Sequence, residues 1–297
     1  MKIFNIIFLL TMIVFNLTGF SIYVIQSENN KENTIMLSSF KDRAEFDITY
    51  FNLNDEEKNV DFVIPKILND KPSAVLLVGD FAVKKIASKI DNIPLILSMI
   101  NSLPSGVKNK KNICGVLNDV SDRTILRWIK NNVPYFDSLG LIFYIKNIEY
   151  AKKFKNTASE ESIFVEISNI SDINDLKISV KLLKGIGIKA LWVENEKQLT
   201  LDKGFENLIK ICKTEKLPII TSSIELLKNG ALFSLTPEPS NHGYLSGNIA
   251  IRLANGEKPE DIGFILTEKV KFSYNKSQIK NYKKFFKDTL LELSENY

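Results

Sequence analysis

Histidine occurs once in the 297 residues, at position 242, and cysteine twice, at 114 and 212. One imidazole and two distant thiols cannot supply a tetrahedral metal site at the usual ligand spacings, so no metal is expected. A dyad or triad with a histidine base has only His242 to use, and no G-x-S-x-G elbow precedes a helical pattern. The G-x-G of "KGIGIKA" closes a helical pattern instead of opening one, and the third glycine of a dinucleotide turn is missing. The adjacent acids of "NDEEKN" and "ENEK" lack the arrangement of an acid–base pair. No cofactor and no enzymatic activity are therefore expected. Cys114 falls in an apolar strand pattern and Cys212 in an amphipathic helical pattern, and both read as buried thiols.

Charge of one sign is also missing. With 39 basic and 35 acidic residues the formal charge is +4, and the lysines are scattered. No run forms a stripe that could track phosphates, which excludes nucleic acid as the partner. No Gly/Ser-rich linker divides the chain, although 297 residues with 44% hydrophobic content suffice for two cores.

Uncharged sequence is abundant at the N-terminus. After Met1-Lys2, residues 3–25 ("IFNIIFLLTMIVFNLTGFSIYVI") carry no charge. A basic start followed by such a run is an export signal, and about 20 apolar residues also span a bilayer. Residues 1–27 are thus either a signal peptide, cut after Ser21, or a membrane anchor. Both place the rest of the chain outside the cytoplasm, periplasmic or otherwise extracytoplasmic. No cysteine is present there to carry a lipid.

From Thr34 onward, short apolar runs alternate with amphipathic segments. "TIMLS" and "FDITYFNL" read as strands, and "VDFVIPKILND" has helical spacing. Strand and helix patterns then alternate through "SAVLLVGD", "FAVKKIASKI", "IPLILSMI", "ICGVL" and "DRTILRWIKNNV". A second series runs from "LGLIFYI" to "GALFSL", followed by the helix "HGYLSGNIAIRLANGE", the strand "VKFSYN" and a charged helix to the end. Unbroken apolar strands between helices indicate parallel sheets covered on both faces. The expected architecture is α/β, two doubly wound parallel-sheet lobes joined by crossing strands. Lobe 1 is expected at 33–134 plus 237–264, and lobe 2 at 135–236 plus 265–297.

Ligands of such sheets sit beyond the carboxyl ends of the strands. The polar residues at those ends are therefore the site candidates: Ser38, Ser39, Gly79, Asp80 and Asn101 from the first series, and Glu194, Glu196, Ser222 and Ser223 from the second. Gly79 allows a tight turn before a helix whose first N–H groups can hold an anion. Thr236 and Glu238 lie where "SLTPEPSN" crosses between the lobes.

The segment "LPIITSSIELLKNGALFSLTPEPSNHGYLSGNIAIRLANGEKPEDI" resembles the substrate-binding proteins of ABC transporters. In particular, it resembles the group with the type I periplasmic-binding-protein fold that includes aromatic amino-acid binders. Pro218, Gly230-Ala231-Leu232, Glu238, Gly243, Gly256-Glu257-Lys258-Pro259 and Asp261-Ile262 carry the likeness, and "VLLVGDFAVKKIASKIDNIPLILSMI" matches the family's strand-turn-helix-strand unit. The resemblance implies hinge closure of two lobes around a small polar ligand, an amino acid or related compound, and an ABC permease as partner. The alternative is a tethered sensing or scaffold module uncoupled from transport. Three departures stand out. The helix between the family's first two strands has no room and reads as deleted. Ser223 stands where the family has an aspartate for the ligand's amino group. Pro239 and Ser240 replace aromatic residues of the bend.

Overall fold

The computed structural model describes residues 19–43, 45–194 and 204–297. The leader reading of residues 1–18 and the candidate Glu196 lie outside the described residues.

The first strand, β1 (Ser21–Gln26), is the tail of the apolar N-terminal run. It lies between β2 (Asp47–Asn52) and β3 (Ala74–Val78), parallel to both, with Ile22 to Ile25 buried. The expected leader of residues 1–27 thus overlaps a sheet strand, and a cut after Ser21 would remove the strand's first residue. A strand buried on both faces has the composition of a leader, which explains why the two ran together in the sequence. Residues 34–38, expected as a strand, lie inside helix α1 (Lys31–Lys41). Asn30 caps it by accepting the N–H of Asn33 at 2.8 Å. Asn33, Met36 and Phe40 are buried at helical spacing. The helix thought deleted is thus present, between β1 and β2.

The first sheet continues through β4 (Leu95–Ile100) and β5 (Ile113–Val120), and takes β11 (Phe264–Thr267) on the far edge of β5. Its order is β11-β5-β4-β3-β1-β2, all parallel. Alternate residues serve opposite faces. Tyr23, Ile25, Val75 and Leu77 pack with α2 (Glu57–Asp70) and α3 (Asp80–Ile86). Ile22, Val24, Leu76 and Val78 pack with α1 and the long helix Pro239–Ala254. Gly243 of that long helix lies against α1 so closely that a Cβ there would sit 2.0 Å from the Met36 carbonyl oxygen.

The second sheet has the order β13-β12-β10-β9-β8-β6-β7. Its strands are β6 (Ser138–Tyr144), β7 (Phe164–Ile170), β8 (Ala190–Val193), β9 (Ile219–Thr221), β10 (Phe233–Pro237), β12 (Val270–Tyr274) and β13 (Glu295–Asn296). All pairs are parallel except β10 with β12. One face carries α4 (Asp122–Asn132) and α5 (Ile148–Glu160), the other α6 (Leu176–Ile186) and α7 (Gly204–Glu215). Ile125, Leu126 and Ile129 of α4 share a core with Phe143, Phe154 and Phe233, so α4 belongs to the second lobe and not, as the sequence suggested, to the first. β11 belongs to the first for the same kind of reason.

The tail beyond Tyr274 is not one charged helix. It breaks into Lys276–Ile279, Lys283–Phe285 and Asp288–Glu292. Phe285 stacks on Tyr135 and Phe286 packs against Phe136, Phe233 and Phe272; placing adjacent rings on the body requires the chain to bend. Cys114 and Cys212 are both buried and free, and burial pushes each thiol up to about 12.

Candidate functional site

Three segments join the lobes. β5 runs through Ser121 into α4, β10 runs through Glu238 into helix α9 (Pro239–Ala254), and β11 runs through Glu268-Lys269 into β12. The last two are tied together: the Glu238 N–H donates to the Lys269 carbonyl at 3.0 Å, and the buried Thr267 hydroxyl donates to Asn241 Oδ1 at 2.5 Å. The crossings leave a cavity of about 410 Å³ at the carboxyl ends of both sheets. In both sheets the order reverses beside the first strand, β1 in one and β6 in the other, and such reversals open a crevice at the strand ends.

Five of the candidates line this cavity: Asn101, Glu194, Ser222, Ser223 and Thr236. They come from the ends of β4, β8, β9 and β10. Asp80 stands one step behind, accepting the backbone N–H of Asn101 at 3.0 Å and its side-chain NH₂ at 2.6 Å. Asn118 in turn donates to Asn101 Oδ1 at 3.2 Å. Gly79 has φ +91 and lies under Ser27, whose hydroxyl accepts the Ala82 N–H at 2.9 Å. That bond takes one of the N–H groups of α3 that an anion would need.

The remaining candidates lie elsewhere. Ser38 and Ser39 fall in the later turns of α1 and are not among the cavity residues, because a helix replaces the strand on which their assignment rested. Glu238 heads α9 and faces a more open groove of about 980 Å³ beside the crossings, together with Arg127, Trp128 and Lys269.

Sequence reasoning missed Glu32, Met99, Asn118 and Asp119. Glu32 is in the first turn of α1, just ahead of residues 34–38, which read as a strand. Asn118 and Asp119 belong to β5, which extends to Val120 beyond the apolar run that marked it; the Ser121 cap of α4 would have located that end. Met99 sits at an irregularity in the pairing of β4 with β5 and has φ +56. A left-handed non-glycine residue on the wall of a cleft stores about 1 kcal/mol or more.

Negative charge dominates the walls. The protein around Asp119 raises its carboxyl although the tip opens to the cleft, and the Val120 N–H, donating to it at 2.8 Å, opposes that shift. Asp122 is also raised, chiefly by burial, with Lys153 opposing. Across the cavity Glu194 accepts a hydrogen bond from the Tyr150 hydroxyl. Burial first, then the charges of Glu194 and Asp122, push the Tyr150 phenol up and keep it a donor. His242, by contrast, is fully buried behind the first sheet, with Nδ1 3.5 Å from the Ser98 hydroxyl and no partner for Nε2. Burial pulls its pKa down to about 4. It does not reach the cavity.

The family model for ABC transporter substrate binding protein matches residues 37–296. The chain belongs to that family. A curated relative, the "Tyrosine-binding protein" of Clostridioides difficile (strain R20291), is 21% identical over 257 residues, covering 81% of this chain and 72% of the relative. Among solved structures, the fold is similar to the ligand-free, open structure of a substrate binding protein with adhesive properties from Clostridium difficile. That pair has a TM-score of 0.66 and 17% identity, over 93% of this chain and 98% of the other. A structure of an ABC domain in complex with L-Trp from Streptococcus pneumonia aligns over 93% of this chain and 99% of the other at TM-score 0.48 and 17% identity. The likeness to the open Clostridium difficile structure, with the sheet orders above, establishes two mostly parallel α/β lobes of the type I periplasmic-binding-protein kind.

Proposed function

We propose that the chain is the extracytoplasmic solute-binding component of an ABC importer, holding a small polar molecule between its lobes and presenting it to a permease. The observation that carries this reading is the cavity of about 410 Å³ at the facing strand ends, lined by hydrogen-bonding side chains from both lobes. That volume lies in the range of small-molecule sites. The mechanism is closure about the three crossings. Ligand contacts to Asn101 on one wall and to Ser222 or Thr236 on the other exist together only when the lobes are close, so the ligand favours the closed state. In this reading Met1-Lys2 and the uncharged run after it direct export, and the start of β1 at Ser21 supports a signal that ends before that residue. Among the described residues no helix is long and apolar enough to cross a membrane. The tethered-module alternative drew its motive from a deleted helix, and α1 is present.

A thermal-shift screen with amino acids, sugars, purines and amines, followed by small-angle X-ray scattering on each hit, tests the reading. A stabilising solute that also shrinks the radius of gyration is expected. Stabilisation by none of them would sink it.

A further inference from the structure

The chemistry of the cavity specifies more than a small polar solute. Resting on the solute-binding reading above, we propose that the ligand is an aliphatic diamine or polyamine, without a carboxylate or an aromatic ring, whose ammonium groups bridge acids on the two walls.

Three carboxylates line the cavity, Glu32 and Asp119 on the first lobe and Glu194 on the second. Among the described residues no lysine, arginine or histidine lines it, although the chain as a whole is basic at +4. Glu32 has a partner in Lys271 at 3.3 Å, and Glu194 accepts from Tyr150. Asp119 is engaged by a neutral donor, the Val120 N–H at 2.8 Å, and desolvation by the surrounding protein raises its carboxyl against that bond. Closing the lobes without a ligand brings like charges on opposite walls together. A dication reverses the sign of that interaction, so it binds the closed state better than the open one, as closure by a ligand requires.

Two further observations separate an amine from an amino acid. An α-carboxylate needs donors, and the natural ones are helix N-termini. Here the helices that start at the cleft carry acids in their first turns, Glu32 in α1 and Asp122 in α4, and these already complement the positive ends. An aromatic side chain needs a stacking surface, and the apolar wall is Met99, Val120, Ile224, Leu235 and Pro237, with no ring among the described lining residues. Methylene chains fit such a wall; rings gain little from it.

Isothermal titration of the full chain with putrescine, spermidine, L-tyrosine, L-tryptophan, D-ribose and Ca²⁺ tests the assignment. Putrescine or spermidine is expected to bind, more weakly at 0.5 M than at 0.05 M NaCl. Asp119→Asn and Glu194→Gln are each expected to lower the affinity at least tenfold while the unliganded melting temperature holds within a few degrees. Both variants keep the neutral acceptor for Val120 or Tyr150. Tighter binding of an amino acid, the sugar or the metal would overturn the amine assignment and leave the solute-binding reading standing. So would amine binding undiminished in both variants. Binding by none of the six, with no hit in the wider screen, would overturn the solute-binding reading itself.

Discussion

Glu295 is the joint of an ion cluster that ties the two lobes. Its Oε1 lies 2.6 Å from Lys31 Nζ of α1 and its Oε2 2.9 Å from Lys271 Nζ of β12, while Lys271 also reaches Glu32 at 3.3 Å. Lys31 and Glu32 belong to the first lobe, Lys271 and Glu295 to the second. The hydrogen bonds from Lys31 and then Lys271 hold the Glu295 carboxyl at about 2, well below its ordinary value. Taken at face value that depression is worth about 3 kcal/mol. The side chain is 32% exposed and Lys31 73%, so water screens most of it and about 1 kcal/mol is the working figure. Because the folded carboxyl titrates below the unfolded one, the contribution is whole above about pH 5 and fades as the pH falls toward 2. Urea unfolding of Glu295→Gln should therefore show a loss of about 1 kcal/mol at pH 7 in low salt, smaller at pH 3.5, and largely gone in 1 M NaCl. The same substitution should widen the lobe separation seen by small-angle scattering. Unchanged stability at pH 7, or a deficit indifferent to both salt and pH, would refute the reasoning.

His242 gives the opposite environment, a buried base without a countercharge. Its folded pKa of about 4 lies below the ordinary 6.5, so the unfolded chain binds the extra proton between those values. Its contribution is whole above about pH 6.5 and falls away by about 3 kcal/mol as the pH reaches 4; the stability–pH curve of His242→Gln should be flatter over that interval, and an unaltered slope would contradict this. Gly243→Ala should cost about 3 kcal/mol in urea unfolding, because the new Cβ meets the Met36 carbonyl oxygen at 2.0 Å. Gly106→Ala, with nothing within 4 Å, should stay within about 0.5 kcal/mol, and equal costs at the two sites would show that close helix contact is not the cause.

Much of the architecture was legible because buried parallel strands and amphipathic helices differ in period. "AVLLV" and "LILSMI" could hardly be anything but central strands; Asn101, Glu194, Ser222 and Ser223 followed from standing just past such strands, and Thr236 from the crossing between the lobes. Where composition alone had to decide, the reading failed. Ser21–Gln26 continues the uncharged run that precedes it, and only its pairing with β2 and β3 marks it as a sheet strand. In α1 the triplet Ile35-Met36-Leu37 mimics a strand, and the helical signal rests on Asn33, a polar residue in a buried position. That single misreading removed Glu32 from view and placed Ser38 and Ser39 at a cleft they do not reach. The lobe membership of α4 is a tertiary fact. Ser121 caps the helix equally well on either side of a crossing, and only Phe143, Phe154 and Phe233 decide where Ile125, Leu126 and Ile129 go.

The contact between α1 and α9 has an implication for biogenesis. The second sheet and its covering layers come mostly from one uninterrupted stretch, whereas the first lobe waits for Pro239–Ala254 and then β11. A chain emerging N-terminus first holds Ile22, Val24, Leu76 and Val78 without part of their cover until Pro239–Ala254 appears, about 160 residues after Val78. Native contacts so distant along the chain form slowly, and the sticky half-built surface is the part that a chaperone would have to shield.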